Sequence, residues 1–297
     1  VAGVRVVSLL PSATEIVYAL GVDRHLVGVS FECDEPAVAR MEKAVVVRGR
    51  DTGGMSPRQI DDYVRGEVAA GRDLYTLDAG ALAALAPDLI LTQDLCRVCA
   101  LPAGQVEQAL EYLGCRADVV RVDPHSLAEV LESILTIGAH TGAAARAEHL
   151  VAGLRRRLET VAAAVAGRPR PRVAVVEWVD PPFTAGHWVP DLVLAAGADP
   201  VAAHPGGRSV QTTWADIAAA RPDLVLVAPC GYGLDAAIAQ ARTVAGALPG
   251  RPVWALDANS IIVRPGPRLV TGVETIAVIA HPDTATSTPT GYAARIT

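Results

Sequence analysis

Aromatic rings and methionine are scarce in this chain: two Phe, two Met and an aromatic share of 4 %. Large rings therefore cannot dominate the interior. Ala, Val and Leu must build it, the composition of Ala-rich helices packed on Val-rich strands. Long apolar runs are also missing. No stretch reaches the about 18 continuous apolar residues of a membrane-spanning helix, so insertion into a bilayer is not expected. Positive charge is not in excess, since the net charge is −6. A chain without a basic stripe lacks the electrostatic footprint for nucleic acid, and none is expected as a partner. Three signatures are absent as well: the phosphate loop, Gly-x-Gly-x-x-Gly after a strand, and Gly-x-Ser-x-Gly. Their absence removes the commonest nucleotide-binding and serine-hydrolase chemistries.

Cysteine is sparse and odd in number. Five residues without regular spacing suit reduced thiols better than a disulfide framework. The N-terminus shows no basic, then apolar, then small-residue leader, because Val4–Leu10 runs straight into Pro11-Ser12-Ala13-Thr14 like a first strand. Both features lead to a cytoplasmic expectation. The alternative is an exported chain whose signal has been removed.

What is present is length and alternation. The 297 residues, half of them hydrophobic, suffice for two domains with real cores. Short β-branched runs alternate with Ala/Leu-rich stretches, which predicts βαβ units and parallel sheets. The clearest strands are Arg5–Leu9, His25–Val29, Asp88–Thr92 and Val119–Val122, then Arg172–Glu177, Asp223–Ala228 and Pro252–Leu256. Between them a helix is predicted from about Ala143 to Val165, with Leu150, Leu154, Leu158 and Val161 on one face. It would be about 35 Å long, and Gly167-Arg168-Pro169-Arg170-Pro171 stops it. The expected fold class is α/β. Two three-layer lobes with mostly parallel sheets, residues 1–142 and 168–297, are joined by a backbone helix at 143–167. A local repeat supports similar lobes: a helix, Pro87-Asp88 and a buried strand parallel a helix, Pro222-Asp223 and a buried strand.

Ser12 followed by Glu15 has the spacing of a capping box at the start of the first helix. Arg48 to Asp78 reads as an insertion in which Ser56-Pro57 starts a short helix ending near Gly71, a cover over one side of a cleft.

In open parallel sheets ligands bind beyond the carboxyl ends of the strands. That rule selects Phe31, Glu32 and Cys33 after the second strand, and Asp94, Cys96 and Cys99 after Asp88–Thr92. In the second half it selects Glu177, Trp178 and Phe183, then Cys230 and Tyr232. His187-Trp188 follows the Pro-Pro-Phe turn and is expected to face the same cleft, and Trp214 adds another ring there. Flat rings suit a flat macrocycle, and His187 is a candidate ligand for its metal. Cys96 and Cys99 have the spacing of metal or redox thiols. With Cys33 and Cys230 they would make four thiolates for zinc or an iron–sulfur cluster, while Cys115 reads as a buried filler.

The run Arg5-Val6-Val7-Ser8-Leu9-Leu10-Pro11-Ser12-Ala13-Thr14-Glu15-Ile16-Val17-Tyr18-Ala19-Leu20-Gly21 resembles the opening of the cobalamin-type solute-binding proteins of ABC importers, the helical-backbone class. Pro181-Pro182-Phe183-Thr184-Ala185-Gly186 and the two Pro-Asp-Leu strands match too, and the similarity runs from about residue 4 to residue 280. The resemblance implies a small-molecule ligand, with a corrinoid (cobalamin) first, held in an interlobe cleft. It also implies an importer permease as partner if the chain is exported. Carriers of that class have an export signal, often with a lipid-anchored cysteine, and neither is seen here. A cytoplasmic metalloprotein on the same fold, with an iron–sulfur cluster or zinc on the cleft cysteines and with or without enzymatic activity, therefore stays open. A dithiol reductase using Cys96 and Cys99 is a weaker third reading, because Leu101-Pro102 intervenes before the next helix.

Overall fold

The computed structural model describes residues 3–94, 103–113, 116–283 and 291–297. It is an α/β protein with two mixed-sheet units. One unit contains residues up to Asp123 and Leu131–Val151; the other contains Pro124–Val130 and Ala152–Thr297.

The first half of the chain runs β1 (Val6–Ser8), α1 (Pro11–Ala19), β2 (Leu26–Ser30), α2 (Val38–Glu42), β3 (Ala44–Gly49) and α3 (Pro57–Ala69). It continues with β4 (Tyr75–Leu77), α4 (Ala79–Ala84), β5 (Leu89–Thr92), α5 (Ala103–Leu113), β6 (Asp118–Arg121), α6 (Leu127–His140) and α7 (Ala144–Val165). Among the described residues the sheet order is β4-β3-β2-β1-β5-β6. All pairs are parallel except β3 with β4. Every residue of β1 and of β5 is buried, so both faces of these central strands are covered. Val7, Val46, Ile90, Leu82 and Val106 form the core on one face.

The second half runs β7 (Arg172–Val179), β8 (Pro182–Thr184), α8 (Val189–Ala195), β9 (Asp199–Pro200), β10 (Val210–Gln211), α9 (Trp214–Ala219) and β11 (Leu224–Val227). Then come α10 (Leu234–Ala247), β12 (Val253–Leu256), α11 (Ala258–Ile261), α12 (Leu269–Ala280) and β13 (Ala293–Arg295). The described sheet order is β10-β8-β7-β11-β12-β13, with β9 beside β7. β7, β11 and β12 are parallel, and the antiparallel pairs lie toward the margins. Val176, Val225, Val227, Ala241 and Val244 lead its core, and Trp214 packs against it.

Three sequence expectations change here. Ser12 does not cap α1: Leu10 is the N-cap, Pro11 holds the first turn, and Ser12 is buried inside it. The polar tie at this turn is Thr14 Oγ1–H to Ser8 Oγ at 2.9 Å, with Ser8 Oγ donating to Leu10 O at 3.0 Å. Arg48 to Asp78 is more than a helix. Ser56 caps α3 in a capping box with Gln59, and Gly71 follows its end at φ +66. The same stretch also contributes β4, an antiparallel edge to the sheet. Finally, the stripe of α7 is Ala147, Val151, Leu154 and Val161, with Leu150 and Leu158 only partly buried beside it.

Candidate functional site

The second unit gathers most of the expected ligand residues at the carboxyl ends of its strands. β7 ends in Glu177-Trp178-Val179, and its turn into β8 places Phe183 in register with Trp178. The chain then passes Ala185-Gly186 to His187, whose backbone is left-handed at φ +50. That conformation is uncommon for a residue with a Cβ and needs outside support. The segment 204–209 supplies it. The His187 N–H donates to Gly207 O, Gly206 N–H donates to His187 O at 3.1 Å, and His204 N–H donates to Ala185 O at 2.9 Å.

Glu177 ties the same turn from below. Its Oε1 accepts the Gly186 N–H at 3.4 Å, and its Oε2 accepts the Ser209 hydroxyl. Gly186 is needed at this crossing, because a Cβ there would meet the backbone of Gly207, Arg208 and Ser209. Next along β7, the Trp178 indole donates to Asp180 O at 3.2 Å, and its ring lies 5.8 Å from that of Tyr232. Tyr232 follows β11, and Cys230 beside it donates its main-chain N–H to Glu177 O at 3.1 Å.

Among the described residues, two polar atoms in this region are buried without a partner: His187 Nε2 and the Tyr232 hydroxyl. Native interiors rarely leave such atoms unpaired, and exceptions point to a missing ligand or to stored strain. Burial pushes the His187 pKa down, and the nearby charges of His125 and Arg208 add to the effect. The imidazole is thus held neutral with a lone pair to offer. Burial raises the Tyr232 pKa, so its hydroxyl stays a proton donor.

Other expected residues are used differently. Trp188 is buried and donates its indole N–H to Ile262 O at 2.9 Å, so its ring is committed to packing. Trp214 starts α9 and packs on the core. In the first unit, Phe31 stacks at 5.9 Å on Tyr75 of β4 and sits over Gly49, while Glu32 lies half-buried in the turn after β2. His125 was not foreseen in this region. Its ring is 6.0 Å from His187. It precedes α6, far from His187 in sequence, and no local pattern marks it.

Of the four proposed thiolates, only Cys33 and Cys230 lie among the described residues. Cys96, Cys99 and Cys115 lie outside the described residues. Cys33 is fully buried and points its thiol at Ser8 O, 3.8 Å away, the behaviour of a small packing residue. Cys230 is an exposed free thiol. Among the described residues no group of three or more His, Cys, Asp or Glu is placed to hold a metal ion. The iron–sulfur and zinc readings thus find no support.

Among described residues, no helix is long and apolar enough to cross a membrane. An open depression of about 680 Å³ is lined by Asp88, Asp118 and Glu107 at the amino ends of β5 and β6, the opposite end of the sheet from its carboxyl edge.

Known proteins repeat this fold. A haem-binding periplasmic protein from Pseudomonas aeruginosa matches with a TM-score of 0.72 and 24 % identity, covering 99 % of this chain and 98 % of that one. The vitamin B12-binding protein BtuF of Vibrio cholerae matches with a TM-score of 0.64 and 22 % identity, over 92 % and 96 %. In sequence, the chain is 27 % identical to YvrC of Bacillus subtilis strain 168, an uncharacterised ABC transporter substrate-binding lipoprotein. That match covers 94 % of this chain and 81 % of YvrC. These findings overturn the cytoplasmic expectation, which rested on thiol count and on the first residues of the sequence. Residues 6–260 match the model of the periplasmic binding proteins, and the chain belongs to that family.

Proposed function

We propose that the chain is the ligand-capturing component of an ABC importer, working outside the cytoplasm, and that its ligand is a flat metal-centred tetrapyrrole, a corrinoid such as cobalamin in the first place. One observation carries the reading: the His187 Nε2 atom is buried, neutral and without a partner among the described residues, in a turn that is braced on both sides. A neutral imidazole nitrogen is a good donor to cobalt or iron. Trp178 and Tyr232 add ring surface on the same edge of the sheet, and the Tyr232 hydroxyl can donate to a polar group on the ligand. Phe183, in register with Trp178, extends that surface. The partners under this reading are the small ligand and an importer permease.

A second reading, a porphyrin, is favoured by Arg208. This residue is exposed, acts on His187 through its charge, and has no hydrogen-bond or ion-pair partner among the described residues. An unpaired guanidinium suits a carboxylate, which porphyrins carry at their edge.

The test is titration of the purified protein with cobalamin, cobinamide and haem, followed by calorimetry and visible absorption. Micromolar affinity or better, about −8 kcal/mol, with a spectral shift that disappears in His187→Ala, is the expected result. Absence of heat and of any shift with all three would reject a tetrapyrrole ligand.

A further inference from the structure

We propose that His125 is a ligand-contacting residue of the second unit and that it accepts a hydrogen bond from a carboxamide on the ligand's edge. This rests on the tetrapyrrole reading above and deepens it by naming the group recognised.

Although it precedes α7, the segment Pro124–Val130 belongs to the second unit. It is fastened there by Leu127, whose N–H donates to Asp191 Oδ2 of α8 at 2.9 Å. His125 itself is held twice. Its main-chain N–H donates to Glu129 Oε2 at 2.6 Å, and its ring Nδ1 lies 3.1 Å from Gly206 O. A carbonyl oxygen only accepts, so Nδ1 carries a hydrogen, and in the Nδ1–H tautomer the unshared pair lies on Nε2. That atom has no partner among the described residues. Gly206 also donates to His187 O, so one glycine positions both histidines. Their rings stand 6.0 Å apart with planes tilted by 46°.

An exposed histidine usually samples several rotamers. Here the ring and the main chain are both anchored, so an acceptor atom is fixed in place before any ligand arrives, which lowers the ordering cost of binding. Arg208, which also acts on His187, can only donate. A carboxylate satisfies Arg208 but has no hydrogen to offer the Nε2 lone pair of the Nδ1–H tautomer. A carboxamide has a C=O for Arg208 and an N–H for His125. Corrinoids carry carboxamides around the ring, so the pair of residues favours a corrinoid edge over a carboxylate one.

The experiment uses two corrinoids, cobinamide and the same ring with its carboxamides hydrolysed to carboxylates, titrated at about pH 8, above the ordinary imidazole range. His125→Ala removes both ring nitrogens. His125→Asn keeps an N–H for Gly206 O but has no counterpart of Nε2, so it separates contact from anchoring. Both variants should weaken cobinamide about tenfold, the loss of one hydrogen bond, and leave the hydrolysed ring's affinity unchanged. Wild-type affinity in His125→Asn alongside a loss in His125→Ala would show that the residue only anchors the loop, and would overturn the proposal. So would unchanged cobinamide binding in His125→Ala, or an equal loss for both rings. If the wild-type protein binds neither ring, the tetrapyrrole reading fails first and this inference falls with it.

Discussion

Arg172 and Asp223 close a two-way ring at the start of β7. The Arg172 N–H donates to Asp223 Oδ2 at 2.7 Å, and the Asp223 N–H donates to Arg172 O at 2.7 Å. The Arg172 guanidinium then reaches Arg221 O and Ala220 O, the carbonyls at the end of α9. The first unit repeats the device with Arg5 and Asp88: Arg5 N–H to Asp88 Oδ2 at 2.8 Å, Asp88 N–H to Arg5 O at 2.9 Å, and Arg5 Nε to Leu85 O at 2.8 Å. Ala86 and Arg221, each just before the proline, share a left-handed backbone, φ +42 and φ +46. The repeated Pro-Asp pair is thus a joint that fastens a helix end to the neighbouring strand.

Asp223→Ala should therefore lower stability by about 1 kcal/mol, since it leaves a main-chain donor without its carboxylate. Asp223→Asn keeps an acceptor oxygen and should cost less. Urea denaturation followed by circular dichroism reads both. Equal midpoints for the wild-type and Asp223→Ala proteins would mean that water replaces the carboxylate without loss.

These joints show what could be read from sequence. Pro-Asp-Leu marks strand entry because proline ends the helix and the β-branched run after it is buried whole. All seven strands named from such runs are present, each within two residues of its expected bounds. The short marginal strands β4, β8, β9, β10 and β13 were missed, because two or three residues cannot display an alternation. β3 is different: its run Val45-Val46-Val47 is as β-branched as those of the expected strands, yet it is not among them. In the candidate site, residue type and strand end single out Glu177, Trp178 and His187. They could not show which way a ring turns. Trp188 follows His187 directly, yet its indole finds Ile262 O inside the core. The His125 contact depends on Asp191 and Gly206, 64 and 81 residues from their partners, and no short pattern encodes it.

Tyr232→Phe separates stability from binding. Among the described residues the hydroxyl is buried without a partner, so the free protein bears a desolvation cost there. Its removal should leave the free protein unchanged or more stable by up to about 1 kcal/mol. Ligand affinity should fall all the same, because the donor is lost. Thermal melting with and without ligand measures both. A variant that is less stable without ligand would show that the hydroxyl has a structural partner.

The sign of the pH dependence follows from His187. Its folded-state pKa is lowered by burial and then by the charges of His125 and Arg208. The unfolded imidazole titrates near the ordinary value of about 6.5. Above that value both states are neutral, and His187 makes stability no more pH-dependent. As pH falls through it, the unfolded chain takes up the proton first, and the folded state loses ground until its own lower pKa is passed. His187→Gln titrates in neither state, so its stability should decline less below about pH 6.5 than that of the wild-type protein. Denaturant midpoints at a series of pH values test this. Parallel curves for the two proteins would mean that His187 is not held neutral by its surroundings.

Gly186→Ala tests the crossing that braces the site without touching any group proposed to meet the ligand. The added methyl would lie within 2.7 Å of Gly207 O and also against the backbone of Arg208 and Ser209. Backbone cannot swing aside as a side chain can, so the segment must shift, at a cost of about 1–3 kcal/mol. The shift would pull Ser209 from Glu177 and Gly207 O from the His187 N–H, releasing the left-handed turn that aims the imidazole. Affinity should fall with the His187, Trp178 and Tyr232 side chains all intact. Gly246→Ala is the control: it lies in α10, and its methyl would have nothing within 4 Å. That substitution should raise stability by up to about 1 kcal/mol, the helix preference of alanine over glycine, and leave binding as it was. If Gly186→Ala binds as tightly as Gly246→Ala, the 204–209 segment does not position His187, and the ligand is held elsewhere.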